Sequence, residues 1–528
     1  MHLAYIRPPS KSSYNDGDVR EDNLITYLSG FLASVPNLCY RETVYDFHLD
    51  RSLGRDQLLA CEADLYILSV RESASIPHYA LRIASTLVAA NKRVILYGQI
   101  GRLKNHPVVA KLGVELVIHD EQTMLTHIWP KFETNRDSSF ESGGYVPRPY
   151  FQKIGLDDKR RRRLRASVET TRGCEFKCNF CFINNGKNHV KRWSIRNIEN
   201  VVEDFRVYYD LGFRMFNVMD SEFFGADAAL FPQRKQLLES LYRNFPDIKM
   251  MIYARADTVS RTGYVSKLRA LNVSSIFVGV ESFSDPELRA LRKGTTGDNL
   301  LRSLFELLDS DISIYLSFIT FNRGTTVETL RENIGYLRKL YTHPKNSLLG
   351  MPNYIFNVET SWKGDGDYEF SPQTYIRWVQ YYKEPPNLTK AVYDTSLEPL
   401  MEVFRALHYE ITKKARDLNY ILDQPDGSEL YRWYQSLGLF SLYAMELFLD
   451  RFSSKGLTIN SVLVNLEYMF SLVTHYYERT LPAEHIDLVT AEETLKMMYA
   501  DVYEVPYLDH GWDNEFAPIS VEVKSFEQ

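Results

Sequence analysis

The sequence predicts an α/β protein in which two parallel sheets follow one another along the chain. Short apolar runs alternate with amphipathic stretches over residues 1–130, and a second such series begins at Ala166. After about residue 370 the pattern turns helical, with prolines as punctuation. We therefore expect a doubly wound, flavodoxin-like sheet over residues 1–130, a linker over 131–165, a partial (β/α)6 barrel over 166–370 and a mainly helical domain over 371–528.

Five nearly continuous apolar runs in the first segment are predicted to be strands. They are His2–Ile6, Cys39–Val44, Asp64–Val70, Arg93–Tyr97 and Glu115–Ile118. The clearest amphipathic stretch between them, Ile76–Asn91, is predicted to be a helix. Apolar strands joined by helices indicate a parallel sheet covered on both faces, whose ligand would lie beyond the carboxyl ends of the strands.

The second series contains six predicted strands with helical patterns between them. The strands are Ala166–Thr170, Met215–Met219, Lys249–Ala254, Ser275–Val280, Ile312–Thr320 and Tyr354–Val358. Helices are predicted notably at Ile195–Tyr209 and Thr326–Tyr341. Six regular βα units predict a partial barrel, in which chemistry takes place at the carboxyl ends of the strands.

The predicted linker contains Pro147, Pro149 and the basic run Lys159–Arg163. We interpret this run as a solvated connector rather than a nucleic-acid patch, because no aromatic stacking platform accompanies it. The last third of the chain contains no cysteine and no motif that indicates a chemistry.

Composition narrows the class of protein. The 528 residues carry a formal net charge of −6, which disfavours binding to nucleic acid or to an anionic membrane. No apolar stretch approaches the ~20 residues of a membrane span, and the first residues lack the apolar core of a signal peptide. Five cysteines are too few for a secreted disulfide framework. We expect a cytoplasmic protein.

Three of the five cysteines, Cys174, Cys178 and Cys181, lie in the loop that follows the first predicted barrel strand. Thiolates at this spacing can each bind one iron of a cubane cluster and leave the fourth iron open for chemistry. A structural zinc site is the alternative, but it normally requires four ligands, and His189 is the nearby candidate. An iron–sulfur sensor without enzymatic activity is a further alternative.

The CxxxCxxC motif at the end of the first strand of a six-unit barrel resembles the radical S-adenosylmethionine superfamily, over roughly Ala166 to Tyr341. The resemblance implies a 4Fe-4S cluster whose open iron holds S-adenosylmethionine (SAM) and cleaves it to a 5′-deoxyadenosyl radical. It also implies an external reductant such as a flavodoxin or ferredoxin. Phe180 matches the aromatic position that the family places against the adenine.

Further segments at the strand ends match positions at which the family contacts the cofactor. The residues concerned are Asp220, Ser221 and Glu222 after the second strand, Arg255 after the third, and Glu281 and Ser282 after the fourth. The resemblance implies that the first group meets the ammonium of SAM and the others its ribose and carboxylate. The diglycine form of the second-strand motif is missing, which leaves open whether Asp220 or Glu222 is the contact. Lys293 follows in the expected loop, and Thr325 is predicted to cap the next helix with Glu328 reaching back.

A doubly wound domain before such a barrel resembles the cobalamin-binding class of the superfamily. Ser69, Gly98 and Gly101 would then contact cobalamin, with Arg71–Ser75 and Gly98–Gly101 bordering the macrocycle and Asp120–Glu121 opening the last helix. The cobalt-binding motif Asp-x-His-x-x-Gly is missing, and Asp46–His48 matches only its start, after a different strand. A domain that binds nothing therefore stays an alternative.

The leading functional hypothesis is a cobalamin-dependent radical SAM enzyme that methylates a carbon of a small natural-product intermediate. A cobalamin-independent elimination, rearrangement or cyclisation is the alternative. A peptide maturase is disfavoured because no cysteine follows Cys181, and a transfer-RNA modifier is disfavoured by the net charge. We expect a small-molecule substrate and neither nucleic-acid nor membrane partners.

Overall fold

The structure is a computed structural model. It describes residues 1–356 apart from residues 9–18, 51, 71–77, 101–108, 110–111, 131–138, 155, 157–163, 182, 184–192, 323 and 350–352. Beyond residue 356 it describes only scattered positions between 397 and 452. Most of the predicted C-terminal domain, and the basic run Lys159–Arg163, therefore lie outside the described residues. No helix in the described part of the chain is long and apolar enough to span a bilayer.

The first sheet has five parallel strands in the order β2-β1-β3-β4-β5, which confirms the predicted flavodoxin-like fold. The strands are β1 His2–Arg7, β2 Arg41–Asp46, β3 Leu65–Val70, β4 Val94–Gly98 and β5 Glu115–Ile118. The helices around them are α1 Asn23–Ser34, α2 Arg55–Leu59, α3 His78–Ala89 and α4 Glu121–Ile128. Asp22 caps the start of α1 by accepting a hydrogen bond from the Leu24 backbone N–H at 2.9 Å, and Asp120 caps α4 in the same way.

Both faces of this sheet are buried, as the apolar runs predict. Along β1, Leu3 and Tyr5 pack into one core, whereas Ala4 and Ile6 pack into a second core on the opposite face. The first core also contains residues of α1 and α4 and continues into the second sheet. The two sheets are therefore joined by one continuous apolar core.

The second sheet has six parallel strands in chain order, as a partial barrel requires. The strands are β6 Ala166–Val168, β9 Met215–Val218, β10 Lys249–Arg255, β11 Val273–Glu281, β12 Ser313–Phe321 and β13 Asn353–Phe356. The helices are α5 Ile198–Asp210, α6 Phe231–Asn244, α7 Ala256–Arg261, α8 Val265–Leu268, α9 Asp285–Ala290, α10 Gly297–Asp309 and α11 Val327–Tyr341.

Two predicted boundaries beside the cysteine loop and one predicted helix cap are wrong. The strand predicted over Ala166–Thr170 ends at Val168, because the chain turns there into a short strand β7, Thr171–Gly173. The helix predicted from Ile195 begins at Ile198, because β8, Trp193–Ile195, pairs antiparallel with β7. The cap of α11 is Thr326, which exchanges hydrogen bonds with Thr329, whereas the Thr325 hydroxyl donates to buried Glu287 at 2.8 Å.

Much of the predicted linker is packed rather than extended. Tyr145, Tyr150 and Phe151 are buried in the first core. Helix α1 comes so close to this segment that a Cβ on Gly30 would lie 1.9 Å from the Val146 carbonyl oxygen. Glycine is therefore required at this helical position by close approach of the backbones.

We expect Gly30→Ala to destabilise the protein by about 1–3 kcal/mol, because the new methyl group must push two backbones apart. Gly335→Ala is the matched control, since Gly335 lies on the exposed side of α11 with no atom within 4 Å of its added Cβ. The Gly335→Ala variant should be about 0.5–1 kcal/mol more stable, because alanine has a higher helix propensity than glycine. Thermal melts of both variants measure the difference, and equal melting temperatures would contradict the packing of α1 on residue 146.

Candidate functional site

The cysteine loop is closed at its base by a two-stranded ribbon. Strand β7 ends at Gly173, immediately before Cys174, and pairs with β8 on the far side of the loop. Cys178 is buried, and Cys174 and Cys181 are partly exposed. All five cysteines are free thiols. The ribbon therefore brings residues 173 and 193 together and holds the three thiols of the motif at the carboxyl end of the barrel.

Side chains of the loop fasten it to two neighbouring segments. The Glu175 carboxylate accepts a hydrogen bond from the Ala226 backbone N–H at 2.9 Å, beyond the end of β9. The Asn179 side chain donates to the Ala290 carbonyl oxygen at 2.7 Å, at the end of α9. The loop is thus held between the second and fourth βα connections.

The donor set fits an iron–sulfur cluster. Burial raises the pKa of the Cys174 thiol well above its usual range, and the charges of Glu222, Cys181 and Cys178 raise it further, so iron would have to displace a proton on binding. The guanidinium of Arg255 lies 3.6 Å from the Cys178 sulfur, where it can stabilise thiolate charge. No group of three or more His, Cys, Asp or Glu side chains in the described ranges is arranged to hold a metal ion. In a cubane cluster each thiolate binds its own iron, so the sulfur atoms need not converge on one point.

Arg255, at the end of β10, is oriented towards the cysteine loop. Its guanidinium binds both oxygens of Asp257, at 3.1 and 2.9 Å, and lies 4.2 Å from the centre of the Phe176 ring. Its backbone N–H donates to Glu222 at 2.8 Å. Asp257 and Phe176 were not predicted to have a role, although the Arg-x-Asp spacing and the aromatic residue between the cysteines are visible in the sequence.

The three polar residues after β9 have different surroundings. Asp220 is buried and accepts hydrogen bonds from the backbone N–H groups of Thr170 and Thr171, at 2.7 and 2.9 Å, and from Arg234 at 3.2 Å. Burial raises its pKa, and the contacts with Arg234 and Thr170 oppose that rise. Ser221 is exposed. Asp220 therefore holds the turn between β6 and β7 in this structure.

Glu222, unlike Asp220, acts electrostatically on a cysteine of the loop. Burial raises its pKa to about 8, and the hydrogen bond from the Arg255 backbone opposes that rise. Its negative charge in turn raises the pKa of Cys174. A cation placed between Glu222 and the cysteines would restore the ionised carboxylate.

Glu281 occupies an irregular end of β11. Its φ is +70°, and the register with β12 shifts between Gly279 and Glu281. Such a backbone conformation costs a non-glycine residue roughly 1–2 kcal/mol. Its carboxylate accepts hydrogen bonds from the Lys293 ammonium and the Ser317 hydroxyl, each at 3.3 Å. The bulge therefore aims this carboxylate at Lys293.

Phe180 and Lys293 join the same group of residues. The Phe180 ring packs against Leu291 and Ile319, and the Lys293 ammonium lies 5.7 Å from its centre. Ser282 does not join them, because its hydroxyl donates to buried Glu287 at 2.6 Å and lies 3.0 Å from the side-chain oxygen of Asn333. The structure thus brings Phe180, Lys293 and Glu281 together and places Ser282 in a separate polar network.

Two of the residues predicted to contact cobalamin are engaged within the first domain. The Ser69 hydroxyl donates to Asp22 at 2.6 Å. Gly98 has a φ of +131°, and a Cβ there would lie 2.4 Å from the Val70 carbonyl oxygen and 2.8 Å from Leu24. Packing of the chain itself therefore requires glycine at this position. Gly101 and Arg71–Ser75 lie outside the described residues.

The carboxyl ends of the two sheets meet beside the cysteine loop. Glu121, at the start of α4 and just beyond β5, accepts two hydrogen bonds from Arg172 of β7, at 2.6 and 2.7 Å. The same guanidinium donates to Glu169, just beyond β6, at 2.9 Å. His119 follows β5 and lies 3.7 Å from Glu169. This contact leaves no pattern in the sequence, because Arg172 and Glu121 are 51 residues apart.

Comparison with known proteins identifies the class. Residues 168–337 match the model of the radical SAM superfamily, which confirms the predicted radical SAM domain in the central part of the chain. In sequence, the chain is 26% identical over 216 residues to the 4′-phospho-dehydrooxetanocin synthase of Priestia megaterium. That alignment covers 37% of this chain and only 28% of the relative.

Solved structures share the fold over most of the chain. The cobalamin-dependent S-adenosylmethionine radical enzyme OxsB, solved with aqua-cobalamin, superposes with a TM-score of 0.59 at 15% identity, over 95% of this chain and 84% of that one. The radical S-adenosylmethionine methyltransferase TsrM from Kitasatospora setae, solved with cobalamin and a [4Fe-4S] cluster, superposes with a TM-score of 0.50 at 16% identity. This superposition covers 64% of this chain and 73% of TsrM. The succession of a doubly wound domain and a barrel is thus shared with enzymes of this class.

We expect Cys174→Ala, Cys178→Ala and Cys181→Ala to lose most of the iron that the unmodified protein takes up, about four atoms per chain, because each thiolate anchors one iron. Cys39→Ala and Cys61→Ala are the controls, since both cysteines lie outside the loop. Iron and sulfide are measured after anaerobic reconstitution. Normal iron content and SAM cleavage in Cys178→Ala would overturn the assignment of the loop.

Proposed function

We propose that this chain is a cobalamin-dependent radical SAM enzyme that methylates a carbon atom of a small molecule. The meeting of the two carboxyl edges at Arg172 carries the proposal. Doubly wound sheets bind their ligands at that edge, and barrels carry out their chemistry at the corresponding edge. Ligands of the two domains would therefore lie side by side at the cysteine loop.

Cys174, Cys178 and Cys181 would hold the cluster, which when bound supplies the electron that cleaves SAM to a 5′-deoxyadenosyl radical. Glu222 would bind the ammonium of SAM, because a buried carboxylate with a raised pKa gains most from a cation. Phe180 would lie against the adenine, and Lys293, next to it, offers an ammonium to the carboxylate of SAM. Arg255 would mainly stabilise the thiolate of Cys178, because Asp257 already occupies two of its nitrogen atoms.

The first domain supports a cobalamin site through its topology rather than through a cobalt ligand. Its strand order places a crevice between the carboxyl ends of β1 and β3, where ligands of this fold bind. OxsB and TsrM, which share the fold, were both solved with cobalamin. Because Ser69 and Gly98 are engaged within the domain, the macrocycle would contact this edge mainly through the loops, including Gly101.

The inner face of the barrel offers a surface for the substrate. Met251, Tyr253, Phe277 and Tyr315 are partly exposed, whereas the residues that alternate with them, such as Ile252 and Val278, are fully buried. The rings of Tyr253 and Phe277 lie 5.2 Å apart. This surface suits a small organic molecule, and an external one-electron reductant would serve the cluster.

A radical elimination, rearrangement or cyclisation is the second candidate. The relative matched in sequence is named a synthase, and OxsB matches 95% of this chain, whereas the methyltransferase TsrM matches 64%. The two candidates share the cluster, SAM and the 5′-deoxyadenosyl radical. They differ in what the substrate radical does next and in whether the reaction needs cobalamin.

We expect Glu222→Gln to weaken the apparent affinity for SAM about tenfold or more, because the variant removes a charge from a buried pairing and keeps the shape. Glu281→Gln should weaken the affinity for SAM too, because the ion pair that positions the Lys293 ammonium is lost. Iron content should stay normal in both. Glu239→Gln, on the exposed surface of α6, is the control. Titrations with SAM measure the affinities, and unchanged values in both test variants would leave these carboxylates with structural roles only.

Methylation and the alternative differ in their by-products. A methylation consumes two SAM molecules, one for the methyl group and one for the radical, so 5′-deoxyadenosine and S-adenosylhomocysteine should accumulate in comparable amounts and only with cobalamin present. Quantifying both compounds with and without cobalamin decides between the candidates. Turnover that needs no cobalamin and yields 5′-deoxyadenosine alone would replace methylation by the second candidate.

A further inference from the structure

We infer that Arg172 is a positioning residue that sets the spacing between the cysteine loop and the ligand edge of the first domain. The identity of the ligand at that edge, cobalamin, rests on the proposed function. The positioning role itself rests on contacts among the described residues. It assigns a function to Arg172, although Arg172 does not contact a cysteine.

The geometry at Arg172 is tightly determined. The side chain is 5% exposed, and three of its nitrogen atoms bind carboxylates of two different domains. Its guanidinium also lies 4.0 Å from the centre of the Phe140 ring. A bidentate pair of this kind fixes both the distance and the angle between its partners, which a single hydrogen bond does not.

Both ends of the contact belong to rigid elements. Arg172 lies in the middle of β7, where it pairs with Ser194 of β8, two residues before Cys174. Glu121 is the first residue of α4, whose cap Asp120 lies two residues beyond the end of β5. A displacement of the first domain would therefore reach the base of the cysteine loop without passing through a flexible segment.

The pair is a true ion pair rather than an incidental contact. Burial would raise the pKa of Glu121, but the guanidinium of Arg172 holds it below its usual value. Glu169 extends the cluster to a third element, because it also accepts a hydrogen bond from Asn23 at the start of α1. Removal of Arg172 would leave two buried carboxylates facing each other, which folded proteins avoid by moving them apart.

The chain supplies a matched control in Arg196, the residue directly after β8. It is as deeply buried as Arg172 and also binds a carboxylate, Asp204, at 3.0 Å. Its remaining hydrogen bonds go to the carbonyl oxygens of Phe140 and Tyr145 in the segment between the domains. Loss of Arg196 would thus disturb the same ribbon without breaking the contact with α4.

The test uses the full-length protein reconstituted with iron, sulfide and cobalamin, in the unmodified form and as Arg172→Gln, Arg172→Lys and Arg196→Gln. With the cluster reduced and cobalt in the Co(II) state, pulsed electron paramagnetic resonance measures the distance between them. Arg172→Gln should shift or broaden this distance while iron content and 5′-deoxyadenosine release from SAM stay within about twofold. Arg172→Lys should restore it partly, since lysine keeps the charge but loses the bidentate geometry. Arg196→Gln should leave the distance unchanged.

A second measurement needs no cobalamin. Backbone hydrogen exchange over Glu121–Ile128 should become about tenfold faster in Arg172→Gln but not in Arg196→Gln, because only the former loses the contact with α4. Glu121→Gln, which keeps the arginine paired with Glu169, replaces Arg172→Gln should the latter fail to fold. An unmodified protein that takes up no cobalamin would overturn the proposed function and leave the exchange result to decide the positioning role. Unchanged exchange and unchanged distance in the Arg172 and Glu121 variants would overturn the inference.

Discussion

The buried carboxylate of Asp220 is the constraint on which the site depends. By accepting hydrogen bonds from the backbone of Thr170 and Thr171, it turns the chain out of the barrel as soon as β6 ends. The turned chain becomes β7, which pairs with β8 and closes the base of the cysteine loop. The same turn brings Arg172 to the first domain. Arg234 forms a buried ion pair with Asp220, so the charge of this carboxylate is balanced without contact with solvent.

Apolar and ionic contacts together hold the two domains against each other. The segment at residues 139–154 fills the space between α1 and the barrel with aromatic side chains, so the domains share a core. Within that apolar surrounding, Arg172 forms ion pairs with Glu121 and Glu169. A low local dielectric strengthens such pairs and also makes their loss costly. The contact of Arg172 with Glu121 and Glu169 therefore fixes both the angle and the distance between the two domains.

Residues with similar appearance in the sequence have distinct roles in the structure. Asp220 and Glu222 are two positions apart, yet the first holds a turn and the second acts electrostatically on Cys174. Glu281 and Ser282 are adjacent, but the bulge at Glu281 sends their side chains into different networks. Gly98 could admit a flat ligand by its type, whereas the structure shows that a neighbouring carbonyl already fills the space of its Cβ. Residue type at a strand end thus indicates a candidate and not its orientation.

The sequence by itself determined the features that arise from local pattern and chain order. Apolar periodicity predicts both parallel sheets, and the spacing of Cys174, Cys178 and Cys181 predicts the cluster loop, because contiguous residues must meet wherever the chain goes. Tertiary structure alone decided which carboxylate acts on the cysteines, that Asp257 and Phe176 hold Arg255, and that Arg172 binds Glu121 across 51 residues. Those contacts depend on side-chain direction and on the packing of two domains. Neither leaves a periodic signal in the sequence, since one residue's neighbours in space are set by every element between them.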